Sequence, residues 1–319
     1  TTGFSASTPG GGRTQSAFDD CDCPVFQVIL SGGSQEVWQK NTQGLSPRDI
    51  AMNVALPEVD GRIITRAISF KDKARYDPLT EHSVLRYEPK RDRIKFVAKL
   101  AANWCRLCKT PEDERCVAII LANYPNRDGR IGNGVGLDTP ESVSGVMSAL
   151  AKEGYDVGGK IPSGSHLITR LLDGPTNAKT LGRRIEAILP LTMYKSEFSE
   201  LPRQVQQKIQ KRWGDPIEDP FFVLRENGFA IPIFYCGKIV VGLQPARGYN
   251  IDPQSSYHDP DLPPPHGYLA FYFWLRKCFN AHVIIHFGKH GNLEWLPGKA
   301  LALSDNCFPE AVLGPIPHL

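Results

Sequence analysis

The chain has 319 residues, more than one ordinary domain and suited to about two, and its hydrophobic fraction of 41% is enough to bury a sizeable core. Thirty-seven basic against 34 acidic residues leave a net charge of +3. That is too balanced for a nucleic-acid binder, and no Lys/Arg block reads as a basic arm. No apolar run approaches the roughly 18 residues of a membrane span and no secretory leader is recognisable, so the cytoplasm is the expected compartment.

Residues 1–23 begin Gly-, Ser- and Thr-rich, as linkers do, and read as a flexible or truncated segment. Together with an end at Pro315-Ile-Pro-His-Leu319 that lacks a closing element, they suggest an internal fragment. Of eight cysteines, Cys21-x-Cys23 and Cys105-x-x-Cys108 are the only close pairs. Reduced thiols are the expected state; a four-thiolate zinc site is the alternative, with poor spacing in its Cys-x-Cys half.

In chain order, residues 24–30 read as an apolar strand that turns through Ser31-Gly-Gly33 into a helix over 34–42. Ser46-Pro47 starts a second helix, with Ser as cap and Pro in the first turn. Residues 53–56 read as a short strand, 62–69 as another, and 70–89 as charged, irregular surface. Ile94, Val97, Ala98, Ala101, Trp104, Cys105 and Cys108 recur at helical spacing over 90–108. A polar stretch at 110–115 marks a boundary between an incomplete α/β domain (24–112) and a second α/β domain (113–319).

The second domain opens on Cys-Val-Ala-Ile-Ile-Leu-Ala (116–122), the clearest buried parallel strand. A glycine loop leads to a helix over 141–152, started by Pro140 and stopped by Gly154. Residues 166–172 and 181–188 read as short helices and 201–213 as an exposed amphipathic one. Residues 230–235 and 238–243 pair as a hairpin over Cys236-Gly237. A proline-rich loop carrying Arg247, His258 and His266 precedes an aromatic helix over 268–278. Alternating strand–loop–helix units give the fold class α/β, with largely parallel sheets in about two subdomains.

Chemistry concentrates after residues 283–287, a short β-branched run read as a buried strand. It empties into a loop with His286, Lys289, His290 and Glu294, where ligands of α/β sheets bind. Imidazoles, an ammonium and a carboxylate this close suit a metal or proton transfer. Gly288, Gly291 and Pro297 argue against one helix carrying His286, His290 and Glu294, and His282 reads as a satisfied core histidine. Gly132-x-Gly134-x-Gly136 is not a dinucleotide fingerprint and no Gly-x-x-x-x-Gly-Lys-Ser/Thr occurs, so no nucleotide site is expected on this chain.

Ala122-Asn-Tyr-Pro-Asn-Arg-Asp-Gly-Arg-Ile-Gly-Asn-Gly-Val-Gly-Leu-Asp138, Gln244-Pro-Ala-Arg-Gly-Tyr-Asn250, Pro264-Pro-His-Gly-Tyr268 and His286-Phe-Gly-Lys-His-Gly-Asn-Leu-Glu-Trp-Leu-Pro-Gly-Lys299 resemble the large subunits of metal chelatases, the family of cobaltochelatase CobN and magnesium chelatase H. Lys289 and Asn292 look like the cobalt-type form of the last block. The resemblance implies insertion of cobalt(II), as substrate metal, into the corrin ring of hydrogenobyrinic acid a,c-diamide in cobalamin synthesis. ATP would be used by CobS- and CobT-like AAA+ partner subunits and not bound here. Magnesium insertion into protoporphyrin IX, or a tetrapyrrole- or metal-binding module without activity of its own, are the alternatives.

On that resemblance, a carboxylate buried beside the ring would take up the ring N–H protons, and Glu294 is the candidate. His290 joins it as proton relay, and His286, His290 and Glu294 are the expected metal contacts. Arg247, Arg127, Arg130 and Lys289 are expected to anchor the carboxylates of the corrinoid, with His266 in the same wall. Each of these cations taken alone reads as a solvated surface charge.

Overall fold

The structure is a computed structural model that describes residues 23–123, 128, 131–134, 136–248, 250–252, 259–289 and 291–319. The chain divides into two compact units: one ends at Ala102 and takes in Gly298–Asp305, and the other comprises Asn103–Pro297 and Asn306–Leu319.

In the first unit, β1 (Phe26–Ser31) pairs in parallel with β2 (Ile63–Asp77), which pairs antiparallel with β3 (His82–Pro89). Ser34 caps α1 (Gln35–Lys40) through Val37 N, and Ser46 caps α2 (Pro47–Ile50) through Asp49 N. Asp49 is buried but satisfied, accepting from Ser31 Oγ and Gly32 N. Ile29, Trp38, Leu45, Val54, Ala67, Phe70 and Ala302 form the core, and the indole of Trp38 donates to Ala302 O at 2.9 Å.

Two expectations fail here. Residues 53–56 are helical, not a strand: a π-helical turn, Ala51–Ala55, continues α2 into α3 (Leu56–Val59). Pro57 has no N–H for the regular ladder, and the wider turn just before it accommodates that loss. Residues 70–89, expected to be irregular, form the outer half of the β2–β3 ribbon, with a register shift between Lys73 and Arg75. Tyr76, Val84, Leu85 and Tyr87 are all exposed, so no buried face imposes an apolar/polar alternation on the sequence.

Helix α4 (Arg91–Lys109) follows the helical spacing, but Ile94, Ala98, Cys105 and Cys108 on the expected inward stripe are exposed. Cys23, Cys105 and Cys108 carry free thiols, and Cys21 lies outside the described residues.

The second unit is built on a four-stranded sheet in the order β10–β11–β4–β12. Its central strand β4 (Val117–Leu121) is buried along its whole length and lies parallel to both neighbours, β11 (Ile239–Leu243) and β12 (Val283–Phe287). A strand covered on both faces has no polar side to show, which is why it reads as an unbroken apolar run. β10 (Ile233–Cys236) closes one edge as the antiparallel arm of the expected hairpin. Residues 317–319 line the other edge, with Ile284 N donating to Pro317 O and His286 N to Leu319 O.

Between β4 and the hairpin lie a two-residue pair β5 (Asn133–Gly134) and β6 (Leu137–Asp138), then α5 (Thr139–Lys152) and α6 (Gly164–Asp173). A small sheet of β7 (Ile188–Pro190), β8 (Phe222–Val223) and β9 (Gly228–Ala230) flanks α7 (Leu191–Ser199) and α8 (Arg203–Trp213). Val143, Met147, Leu167 and Leu171 cover one face of the main sheet. The other is covered by α9 (His266–Lys277), buried from His266 to Leu275. A short α10 (Phe308–Leu313) follows. Residues 181–188, expected to be helical, are turns running into β7, because Gly182 takes φ +75°, a left-handed conformation incompatible with a helix.

Candidate active site

The register sets Leu243, Leu121 and Phe287 side by side. The three parallel strands therefore end together, and Gln244, Ala122 and Gly288 leave from one edge. Gly288, at φ +152°, comes so close to that edge that a Cβ would lie 2.6 Å from the Ala122 Cβ.

Gln244 is the hub. Its side chain is buried; Oε1 accepts from Asn292 N (2.8 Å) and Nε2 donates to the hydroxyls of Tyr272 (3.1 Å) and Tyr268 (3.4 Å). An amide NH2 can only donate, so the Tyr272 O–H is left to donate to His286 Nε2 at 2.8 Å. His286 Nδ1–H then donates to His318 Nε2 at 2.6 Å. The result is one directed chain, Gln244 to Tyr272 to His286 to His318, with both imidazoles neutral. Burial, with the second imidazole beside it, pushes His286 down to about 3. Burial also lowers His318, opposed by the Glu294 carboxylate.

Asn292 closes the loop that follows β12, its Nδ2 donating to Pro245 O at 3.2 Å. The single 3-10 turn Leu293–Trp295 then points its residues in opposite senses. Leu293 and Leu296 are buried, whereas Glu294 and Trp295 face solvent. Glu294 Oε1 accepts from Gly291 N at 3.1 Å.

The expected site residues separate into groups. Glu294 and Lys289 stand exposed on this loop, so the burial expected around Glu294 is not supplied by the described residues. Arg247 is not a surface anchor. It is 3% exposed and donates to Trp295 O and to Asp259 O, both at 2.6 Å, tying the two loops together. His266 is not in the wall of the site either. It lies in the core, donating to Gly214 O through Nε2 and accepting from Tyr194 Oη through Nδ1. His286 sits at the strand ends, but both ring nitrogens are committed to hydrogen bonds, leaving no lone pair for a metal as placed. His290, Arg127 and Arg130 lie outside the described residues. His282 accepts from Cys116 N, as a satisfied core histidine should. Among the described residues, no group of three or more His, Cys, Asp or Glu side chains is placed to hold a metal ion.

Sequence reasoning missed Gln244, Tyr272 and His318. Gln244 had a signal, since it directly follows a strand next to β4. Tyr272 reads as one more core aromatic, and His318 reaches the site only through the pairing of the chain end with β12.

Burial lowers His266, His282, His286 and His318. Protonating them therefore favours the unfolded chain, so stability falls as pH drops below their ordinary value of roughly 6.5. At pH 5 the His286 contribution alone is down on the order of 2 kcal/mol. Asp219 opposes this: burial raises it to about 6, and the stability this adds is present at low pH and lost as pH rises through that value. Denaturant titrations at pH 7 and 5 should show a partly cancelled decline in the parent and a steeper one in Asp219→Asn. Equal slopes would contradict the assignment.

All 319 residues match the model of the CobN/Magnesium Chelatase family. The chain belongs to that family. It is 54% identical over its whole length to the aerobic cobaltochelatase subunit CobN of a Sinorhizobium species and 49% identical to that of Pseudomonas aeruginosa. To the rice magnesium-chelatase subunit ChlH it is 29% identical over 95% of its length. Its fold superposes on the catalytic subunit of cobaltochelatase from Mycobacterium tuberculosis with a TM-score of 0.81 and 36% identity, covering 93% of this chain and 25% of that one. The chain spans a quarter of the length of the cobaltochelatase subunits it matches. Among the described residues no helix is long and apolar enough to cross a membrane.

Proposed function

We propose that this chain is the part of a cobaltochelatase large subunit that receives the metal-free corrinoid, hydrogenobyrinic acid a,c-diamide, and the cobalt(II) that enters it. The observation that carries the cobalt reading is the split in identity, 54% and 49% to cobaltochelatase subunits against 29% to a magnesium-chelatase subunit. The strand-end edge is the place we assign to the ring.

Insertion requires the ring to lose its N–H protons while the hydrated ion sheds water. Glu294 is the acceptor: a carboxylate held outward on a pinned turn, which a ring lying over it would cover and desolvate. Behind it, the Gln244–Tyr272–His286–His318 chain keeps two neutral imidazoles in fixed tautomers, His318 at the outer end. As placed, neither imidazole has a free lone pair, since His286 Nε2 and His318 Nε2 both accept within the chain, so the chain is assigned to fixing the strand-end edge and not to the metal. Lys289, and Arg127 and Arg130 from the glycine loop, are assigned to the corrinoid carboxylates. His290 is assigned to relay protons or touch the metal. ATP hydrolysis belongs to AAA+ partner subunits of the CobS and CobT kind, and the complex to the cytoplasm.

The test is to assemble the full-length subunit with its motor partners and ATP and offer cobalt(II) with the corrinoid, or magnesium with protoporphyrin IX. Cobalt corrinoid is the expected product; magnesium porphyrin would overturn the reading.

A further inference from the structure

Trp295 is out of keeping with the other tryptophans. Trp38 and Trp274 are 3% exposed and pack against Phe70 and Phe279, and the Trp213 indole donates to Pro263 O beneath Arg212. Trp295 is 63% exposed, and its indole has neither a ring contact nor a hydrogen bond among the described residues. An indole is a large apolar surface with one polar handle, and leaving it in water forgoes its burial.

The exposure is also not looseness. The turn that carries it is fixed on both sides, by Asn292 bonded to Gln244 and Pro245, and by Arg247 holding the Trp295 carbonyl. Leu293 and Leu296 anchor it in the core. A buried arginine thus fixes the backbone that presents an exposed indole, next to the exposed carboxylate of Glu294. Side chains on adjacent residues, whose Cα atoms are about 3.8 Å apart, reach one ligand together.

We propose that the Trp295 indole is the platform on which one face of the substrate macrocycle stacks, placing the ring N–H groups over Glu294. This rests on the corrinoid reading above. The ligand class is a metal-free, conjugated tetrapyrrole-type ring: the apolar part of one face covers the indole, and the central N–H matches a neighbouring carboxylate. A platform on a pinned turn adds affinity because little backbone ordering remains for binding. Trp295 binds and Glu294 reacts, so the two residues should separate in kinetics.

The experiment compares Trp295→Ala and Trp295→Phe in the full-length subunit, using hydrogenobyrinic acid a,c-diamide as probe for equilibrium binding and the assembled complex for turnover. Trp295→Ala should weaken binding about tenfold and raise KM in step, with kcat falling far less than in Glu294→Gln. Trp295→Phe, which keeps a ring, should bind within about threefold. An exposed side chain carries little of the fold, and a melting curve checks that. Parent-like binding by Trp295→Ala overturns the platform, as does a fall in kcat at unchanged affinity. So does a loss of motor-subunit capture with ring binding intact, which would make Trp295 a protein contact. The corrinoid reading fails separately, if the parent itself neither binds hydrogenobyrinic acid a,c-diamide nor turns it over in the same assay; a parent-like Trp295→Ala beside a parent that binds and turns over the corrinoid removes only the platform.

Discussion

Glu294→Gln in the assembled full-length enzyme should lower the rate of metal insertion by about a hundredfold or more, with corrinoid affinity within about threefold of the parent. The substitution keeps the size and shape of the side chain and removes its charge. The local structure should survive it, because the turn is held by buried Leu293 and Leu296 and by the bonds of Asn292, none of which involve the carboxylate. One oxygen, Oε1, is occupied by Gly291 N, and Gln can accept there equally well. What Gln cannot do is take protons from the ring. Glu294→Asp keeps the charge but draws it back by one methylene, so an intermediate rate is expected. Single-turnover measurements separate the effects: a reduced insertion step at normal binding supports the proton-acceptor role, and weakened binding at a normal insertion step contradicts it.

Arg247→Ala should be the most damaging substitution for the architecture of the site. Its guanidinium is buried and bridges the carbonyls of Trp295 and Asp259. Hydrogen bonds to a charged group contribute on the order of 1.5–3 kcal/mol each, so losing both, and leaving two carbonyls short of a donor, should cost about 3 kcal/mol of stability. The Glu294–Trp295 turn would then lose its C-terminal pin, and insertion should slow without any change at the reacting groups. Arg247→Lys should not restore it, since a single ammonium cannot reproduce a planar fork reaching two carbonyls. Chemical denaturation together with corrinoid binding tests this. Parent-like stability and binding in Arg247→Ala would show that the pin is dispensable.

Much of the second unit was legible because its signals are local. The β-branched run of β12, the apolar run of β4 and the Cys236-Gly237 hairpin each bury a continuous surface, which the sequence displays as hydrophobicity. The edge of the sheet where chemistry was expected is the edge where Glu294 stands. The outer part of the β2–β3 ribbon, residues 70–89, was not legible, since exposed strands carry no buried period. The π-turn before Pro57 was hidden because a proline usually argues against a helix running through it. Arg247 and His266 were misjudged for one reason: a charged or titratable side chain in a loop motif looks available. Whether its nitrogens are already committed to backbone carbonyls is decided by contacts far apart in the chain. His318 depends in the same way on the strand pairing of the last residues.

The position of the bound ring decides the role of Glu294. A structure of the full-length subunit with metal-free hydrogenobyrinic acid a,c-diamide should show the macrocycle at the ends of β4, β11 and β12, with the Glu294 carboxylate within hydrogen-bonding reach of a ring N–H. A ring bound elsewhere, with Glu294 still in solvent, would contradict it.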